Sequence, residues 1–147
     1  ALAVPGLAPA MGRKLNGRQL LTAIVAGYEV LYRIGDAAQQ SIEKIGFHSP
    51  GVVGVYGTAV VIGRLFDHTA QQMAHALGIA GSHAPFPPGG LQANHAMVKE
   101  TIGWSAMTGV ASALLAQRGF VDPADFFDYT ERWDASALVA LAALGGK

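Results

Sequence analysis

His48 is the residue of this chain whose type and position best suit chemistry, because it directly precedes Ser49-Pro50, a pair typical of a helix start. The first turn of a helix offers unpaired N–H groups and the positive end of the helix dipole, and both favour a bound anion. A neutral imidazole beside such a turn can accept a proton or donate a hydrogen bond. The pattern therefore indicates either an acid–base group at an anion site or a histidine that only closes the turn.

Lys99 is the second candidate, since it stands alone at the start of an apolar helical stretch that contains Trp104 and Met107. An isolated lysine beside such a face can hold a substrate carboxylate or transfer a proton. The simpler alternative is an ordinary solvated lysine next to Glu100. Together, His48 and Lys99 supply one acid–base group and one cation, as reactions beside a carboxylate require, and we expect them to face one cleft near residues 84–94.

Two further residues, Ser49 and His83, are predicted to bind substrate. Ser49 adjoins His48, and His83 flanks a loop rich in proline and glycine at residues 84–94, from which it can reach a cleft between helices. His95 lies just beyond the other end of that loop. The alternative for both of these histidines is that they anchor the loop or lie exposed.

The sequence lacks the usual signatures of metal and cofactor sites. It contains no cysteine, which excludes a disulfide, a thiolate zinc site and a cysteine-ligated iron–sulfur cluster. His68 and His75 are two helical turns apart and can share a face, but no carboxylate stands at ligand spacing and no H-E-x-x-H segment occurs. The scattered glycines form no nucleotide-binding motif. We therefore expect neither a metal nor an organic cofactor.

Composition narrows the range of partners. Ten Lys and Arg residues balance ten Asp and Glu residues and are scattered, so we expect no nucleic-acid partner. Hydrophobic residues make up 51% of the chain, and residues 45–63 carry no formal charge over nearly the length of a membrane-spanning helix. That segment contains Pro50 and several glycines, so a buried helix explains it better, and a membrane-associated protein is the alternative. We expect a cytoplasmic protein without a membrane partner.

Helices must position these residues, because apolar residues recur at helical spacing between capping signals and no strand alternation competes with them. The first predicted helix is capped by Asn16 and runs to about residue 44, and the second runs from Ser49-Pro50 to about residue 66, with Ser49 as its N-cap. The third starts at Asp67 or Thr69 and runs into residues 81–83, and the fourth runs from about residue 97 to residue 117 and stops at Gly119. A short helix follows Asp122-Pro123, and a last one is capped by Asp134. Residues 1–15 are predicted to be an irregular lead-in. The predicted fold class is all-α, with residues 1–147 as a single helical domain or fragment.

For the first two helices the sequence also predicts how they pack. In the first, Leu20, Ile24 and Tyr28 belong to an apolar stripe that should face the core. In the second, the glycines between residues 51 and 63 lower the intrinsic helix propensity but let a neighbouring backbone come close. We therefore expect the second helix to be tightly enclosed.

Six blocks of the chain form a recognisable series: residues 20–30 (LLTAIVAGYEV), 46–49 (GFHS), 54–59 (GVYGTA), 76–82 (ALGIAGS), Lys99 with Gly103-Trp104, and 113–120 (ALLAQRGF). In type and order these blocks resemble the MmgE/PrpD family, which includes 2-methylcitrate dehydratase, cis-aconitate decarboxylase and iminodisuccinate epimerase. The resemblance implies a large helical domain, of which this chain looks like the central and later part, and a smaller α/β lid domain that the chain lacks.

The resemblance also implies a chemistry. His48 matches the family's active-site histidine in its G-F-H segment, and Lys99 matches the lysine of its K-x-L-H-type segment, although Glu100-Thr101-Ile102 follow here without that histidine. The implied protein is a cofactor-independent lyase or isomerase (a dehydratase, decarboxylase or epimerase) that acts on a small di- or tricarboxylate as a homo-oligomer, usually a homodimer. The alternative is a non-catalytic helical dimerisation module that keeps the family fold. Because the chain opens on Ala1, we expect a fragment of a longer protein that is incomplete as an enzyme.

Overall fold

The computed structural model describes residues 12, 14–44, 47–84 and 97–122, and within them the chain folds as four α-helices without a strand. These helices are α1 (Gly17–Lys44), α2 (Ser49–Leu65), α3 (Ala70–Ser82) and α4 (Met97–Gln117). The all-α prediction is confirmed for this part of the chain. Three predicted segments lie wholly or mostly outside the described residues: the lead-in at residues 1–15, the loop at residues 84–94 beyond residue 84, and the two helices after Asp122.

Two helix starts use reciprocal side-chain caps. The Oδ1 of Asn16 accepts from the N–H of Gln19 at 2.9 Å, and the Oε1 of Gln19 accepts from the N–H of Asn16 at 2.9 Å. Thr69 and Gln72 form the same capping box at the start of α3, at 3.2 and 3.0 Å. Each box satisfies two N–H groups that the helix itself leaves unpaired. The predicted cap at Asn16 is confirmed, and Thr69 rather than Asp67 starts α3.

The start of α2 differs by one residue from the prediction. His48, not Ser49, is the N-cap, and its carbonyl accepts from the N–H groups of Gly51 at 3.0 Å and Val52 at 3.2 Å. Ser49 is the first helical residue, and Pro50 follows it inside the first turn. The shift is possible because no N–H of the first turn needs an intrahelical partner, so proline fits one position later as well.

The predicted stop of α4 at Gly119 is confirmed. Gly119 has a φ of 85°, a left-handed conformation that glycine adopts without strain. Its N–H donates to the carbonyl of Ala116 at 3.1 Å, and the N–H of Phe120 donates to the carbonyl of Leu115 at 3.1 Å. This pair of bonds is the Schellman motif, which satisfies carbonyls at the end of the helix.

Helix α2 is the centre of the structure. All of its residues are buried except Pro50 and Arg64. Contacts along α2 show how the other helices run: Gly27 of α1 lies against Gly57 and Val61, and Met73 of α3 lies against Gly63. Because α3 leaves the end of α2 and returns, and the early part of α1 meets the late part of α2, both run antiparallel to α2.

Helix α4 instead runs parallel to α2. Ser105 of α4 lies against Gly54, and Gly109 lies against Val55 and Thr58. We call this line of small residues, formed by Gly51, Gly54, Val55 and Thr58 of α2 with Ser105 and Gly109 of α4, the α2–α4 seam. The predicted tight enclosure of the glycine-containing second helix is confirmed.

The core-facing stripe predicted for α1 is partly wrong. Tyr28 is 57% exposed, and it shares an outer face with Leu21, Val25 and Tyr32, which are also exposed. Ala23 is buried instead, at 1% exposure, and Gly27 beside it meets the backbone of α2. The contact is centred on the smallest residues because these let the two helices approach closely, which rotates the larger side chains outward.

None of the described helices is both long enough and apolar enough to cross a membrane.

Candidate functional site

His48 points from the start of α2 toward α4. Its ring is partly buried, and its Nδ1 lies 2.9 Å from the Oγ1 of Thr101. Its side chain makes no capping hydrogen bond to its own helix, although His48 occupies the N-cap position. The interpretation of His48 as a residue that only closes the turn therefore does not describe its side chain, which bonds to a different helix.

A second pair of polar contacts lies one turn deeper. The Oγ of Ser105 is hydrogen-bonded to the carbonyl of Gly51 and lies 3.0 Å from the carbonyl of Thr101. Ser105 is 1% exposed and Thr101 is 7% exposed, so both bonds are shielded from water. Because carbonyls from both helices share the one hydroxyl proton of Ser105, this contact holds the first turns of α2 and α4 together beside His48.

Lys99 lies in the first turn of α4, two residues before Thr101. The helical repeat places its Cα about 160° around the α4 axis from that of Thr101. The side chain of Lys99 is outside the described residues. The expectation that His48 and Lys99 face one cleft therefore stays a prediction, although both belong to the same end of the helix group.

Ser49 and His83 also belong to this end. Ser49 is buried at the first position of α2, and His83 is exposed at the C-cap of α3. The Nδ1 of His83 lies 3.0 Å from the carbonyl of Ile79, in its own helix. Because α3 is antiparallel to α2 and α4 is parallel to it, all four predicted site residues gather where α2 and α4 begin and α3 ends. Their contact with a substrate stays a prediction.

The first turns of α2 and α4 carry positive dipole ends, which favour an anion. Two parallel helices direct their positive dipole ends to the same place, and their first-turn N–H groups are free of intrahelical partners. The first turn of α2 contains no acidic residue, and that of α4 contains Glu100, which is exposed and accepts a hydrogen bond from Trp104 Nε1 at 3.2 Å. Helices α1 and α3 end at the same side, and the negative ends of their dipoles oppose the positive ends of α2 and α4.

The two histidines considered for a metal site have separate surroundings. The Nδ1 of His75 lies 2.8 Å from the carbonyl of Asp122. Both ring nitrogens of His68 are buried without a hydrogen-bond partner among the described residues, and burial lowers the pKa of His68. In the part of the chain that the structure describes, no group of three His, Asp or Glu residues could hold a metal ion.

A cavity of about 260 Å³ lies at the opposite end of the helix group. It is lined where α1 begins and α2 ends, by residues that include Arg18, Arg64 and Asp67. Since α2 separates it from the start of α4, this cavity is not part of the His48 site.

Thr101 is the site residue that the sequence did not identify. Its contact with His48 spans 53 positions of the chain, and no local pattern encodes a contact of that range. One feature of the sequence could have indicated Thr101: it lies two residues after Lys99, at the predicted start of the fourth helix. A polar residue at the start of an apolar helix, beside a candidate lysine, could have been examined as a partner of His48.

Known proteins match most of the chain. The MmgE/PrpD N-terminal domain matches residues 2–139. Over 118 residues the chain is 35% identical to cis-aconitate decarboxylase of Homo sapiens, a match that covers 77% of this chain and 24% of that protein. Over 112 residues it is 33% identical to cis-aconitate decarboxylase of Aspergillus terreus, which covers 74% of this chain and 22% of that protein.

The chain thus spans about a quarter of the length of the curated relatives that it matches. No solved structure shows a significant match. The family match takes in all four described helices together with His48 and Lys99. The chain therefore belongs to the MmgE/PrpD family.

Proposed function

We propose that the protein is a lyase or isomerase of small di- or tricarboxylates, in which His48 moves a proton and Lys99 holds a carboxylate. The observation that carries the proposal is the position of His48, which lies where two parallel helices begin and bonds to the second of them. In this proposal an anion binds at the two dipole ends and Lys99, and its reacting carbon lies beside the acid–base group His48.

The chemistry of this substrate class fits such a site. Removing a proton beside a carboxylate, as dehydration and epimerisation require, places negative charge next to a group that is already negative. Loss of CO₂ leaves an electron pair on the neighbouring carbon, which must then receive a proton. Each route needs a positioned proton carrier and cations or dipoles that stabilise the charge that develops. His48, Lys99 and the two helix starts provide these without a metal or organic cofactor.

The matched relatives named cis-aconitate decarboxylase make decarboxylation of cis-aconitate the first reaction to test. 2-Methylcitrate is the second substrate, because dehydration occurs in the same family. We propose in addition that the protein works in the cytoplasm as a homo-oligomer, without a membrane or nucleic-acid partner. Because the chain spans about a quarter of these relatives, the activity is proposed for the whole protein that contains it.

The experiment compares His48→Gln and Lys99→Ala with matched controls in that whole protein. His75→Gln is the control for His48, since His75 contacts the carbonyl of Asp122 and none of the four proposed site residues, and Lys14→Ala replaces an exposed lysine before α1. His48→Gln should lose about 10²- to 10⁴-fold in kcat, the usual contribution of a positioned acid–base group, and Lys99→Ala should lower kcat/KM through the loss of its carboxylate contact. Both controls, and the unmodified protein treated with a chelator, should keep their activity.

Full turnover in His48→Gln or in Lys99→Ala would remove that residue from the proposed mechanism. If no dicarboxylate or tricarboxylate is consumed by the unmodified protein, the catalytic proposal fails.

A non-catalytic dimerisation module is the second candidate, and one observation favours it. Leu21, Val25, Tyr28 and Tyr32 form an exposed apolar stripe along α1, and such a stripe is typical of an interaction surface. This candidate predicts an oligomer that depends on the stripe but has no turnover. Light scattering of Val25→Glu, together with the activity assay on the unmodified protein, separates the two candidates.

A further inference from the structure

We propose that Thr101 is a positioning residue that holds His48 in the tautomer with its proton on Nδ1, so that Nε2 is left to exchange a proton with the substrate. The inference rests on the proposed function for its catalytic consequence, but the tautomer itself is independent of turnover. Its basis is the 2.9 Å contact between Nδ1 of His48 and Oγ1 of Thr101.

The direction of that hydrogen bond follows from the place of Thr101 in α4. A threonine hydroxyl in a helix can donate its proton to the carbonyl three or four residues earlier. For Thr101 those carbonyls belong to Val98 and Met97, both of which lie in α4. On this inference the proton of Thr101 is directed along the helix, as the hydroxyl protons of Ser105 and Ser112 are, so that Oγ1 meets His48 as an acceptor. The donor is then the Nδ1–H of the imidazole, and in a neutral ring Nε2 carries the lone pair.

The acceptor is also held in place. Thr101 is buried, and Ser105 links its carbonyl to the carbonyl of Gly51 in the turn that follows His48. The α2–α4 seam continues this contact to Gly109, where a hydrogen stands in place of a side chain because backbone atoms of α2 lie so near. Neither helix start can shift without disturbing that packing. The ring of His48 is therefore oriented by a hydroxyl with little freedom to move.

The partner of Nδ1 also frees the other edge of the ring. No described residue forms a hydrogen bond with Nε2, and His48 is only partly buried. A ring that is fixed at Nδ1 and available at Nε2 is suited to carry a proton to and from a bound molecule. Were the tautomer reversed, Nε2 would carry hydrogen in the resting state and could not act as a base.

The test uses Thr101→Val, which keeps the shape but removes the hydroxyl, and Thr101→Ser, which keeps the hydroxyl. The tautomer is read by long-range ¹H–¹⁵N correlation of the ring nitrogens, which distinguishes a protonated nitrogen from one with a lone pair. The chain has five histidines, so His48 is assigned as the signal that is missing in His48→Gln. Thr108→Val, on the same helix, is the control for loss of a threonine hydroxyl.

The unmodified protein, Thr101→Ser and Thr108→Val should show the Nδ1–H form of His48, whereas Thr101→Val should show a mixture or the Nε2–H form. In the whole protein, Thr101→Val should lower kcat about 10- to 100-fold with little change in KM, and Thr101→Ser should restore most of the loss. Circular dichroism checks that each variant keeps its helices.

An Nε2–H form in the unmodified protein would overturn the inference, and so would an unchanged tautomer in folded Thr101→Val. Should Thr101→Val fail to fold, the spectra of the unmodified protein and of Thr101→Ser still decide the question. A tautomer that depends on Thr101, in a protein whose His48→Gln variant retains full activity, would sustain the structural inference and refute the proposed function.

Discussion

The substitution Gly109→Ala probes how closely α2 and α4 are packed. A Cβ added at Gly109 would lie 2.5 Å from the carbonyl oxygen of Val55, 2.6 Å from the Cβ of Thr58 and 3.0 Å from the backbone nitrogen of Ala59. Two of these three atoms belong to the backbone, so rotation of a side chain cannot relieve the contact. We expect the two helices to move apart near Gly109, with loss of packing along the α2–α4 seam.

The expected magnitude combines two opposing effects. Alanine is favoured over glycine in a helix interior by about 0.5–1 kcal/mol. Inserting a methyl group into a filled site costs about 1–3 kcal/mol. The control is Gly103→Ala on the same helix, where the added Cβ would meet no atom within 4 Å. The propensity gain is common to both variants, so the difference between their unfolding free energies isolates the packing cost of about 1–3 kcal/mol.

The assay is urea unfolding followed by circular dichroism at 222 nm, with the free energy of unfolding taken from linear extrapolation. Gly103→Ala should be slightly more stable than the unmodified protein, and Gly109→Ala should be less stable than Gly103→Ala by the amount above. Equal midpoints and equal slopes for the two variants would show that the helices do not approach each other as described.

Two other predictions follow from the described residues. Gly27→Ala should destabilise the protein relative to Gly35→Ala on the same helix. A Cβ added at Gly27 would lie 2.5 Å from Val61 Cγ2, whereas a Cβ added at Gly35 would meet no atom within 4 Å. Urea unfolding measures the stability of both variants, and equal stability would contradict the α1–α2 contact. Burial lowers the pKa of His68 from its ordinary value of 6.5, so the unfolded chain binds the proton more readily and the free energy of unfolding should fall as pH drops below about 6.5. His68→Gln should weaken this pH dependence between pH 7.5 and pH 5, and an identical profile for the two proteins would refute the assignment.

Local signals in the sequence predicted the helix ends well. Asn16, Thr69 and Gly119 act through hydrogen bonds to residues only a few positions away, so their effect is encoded in short segments. The predicted N-cap of α2, Ser49, differs by one residue from the observed N-cap, His48. Proline is accepted at more than one position of the first turn, so the surrounding packing decides which of these two residues is the N-cap.

Tertiary contacts decided what the sequence could not. Tyr28 was predicted to face the core because it is hydrophobic, whereas the contact between α1 and α2 depends on the small size of Ala23 and Gly27. His48 was identified from its place before a helix start, but its partner Thr101 depends on how two helices distant in sequence align. The seam that produces this alignment is formed by glycines and a serine, which hydrophobic periodicity does not register.

The α2–α4 seam also limits how the length of this chain can vary during evolution. His48 and Thr101 lie at the beginning of the seam, and Val55 and Gly109 lie further along it. Deleting or inserting one residue between these points in either helix would rotate the first turn by about 100° and move it by about 1.5 Å, so the hydroxyl would no longer meet the imidazole. Substitutions inside these two intervals can be compensated by neighbouring side chains, but a change of length cannot. The intervals from His48 to Val55 and from Thr101 to Gly109 should therefore keep a constant length in proteins that retain this pair, while insertions collect in the turn around Asp67.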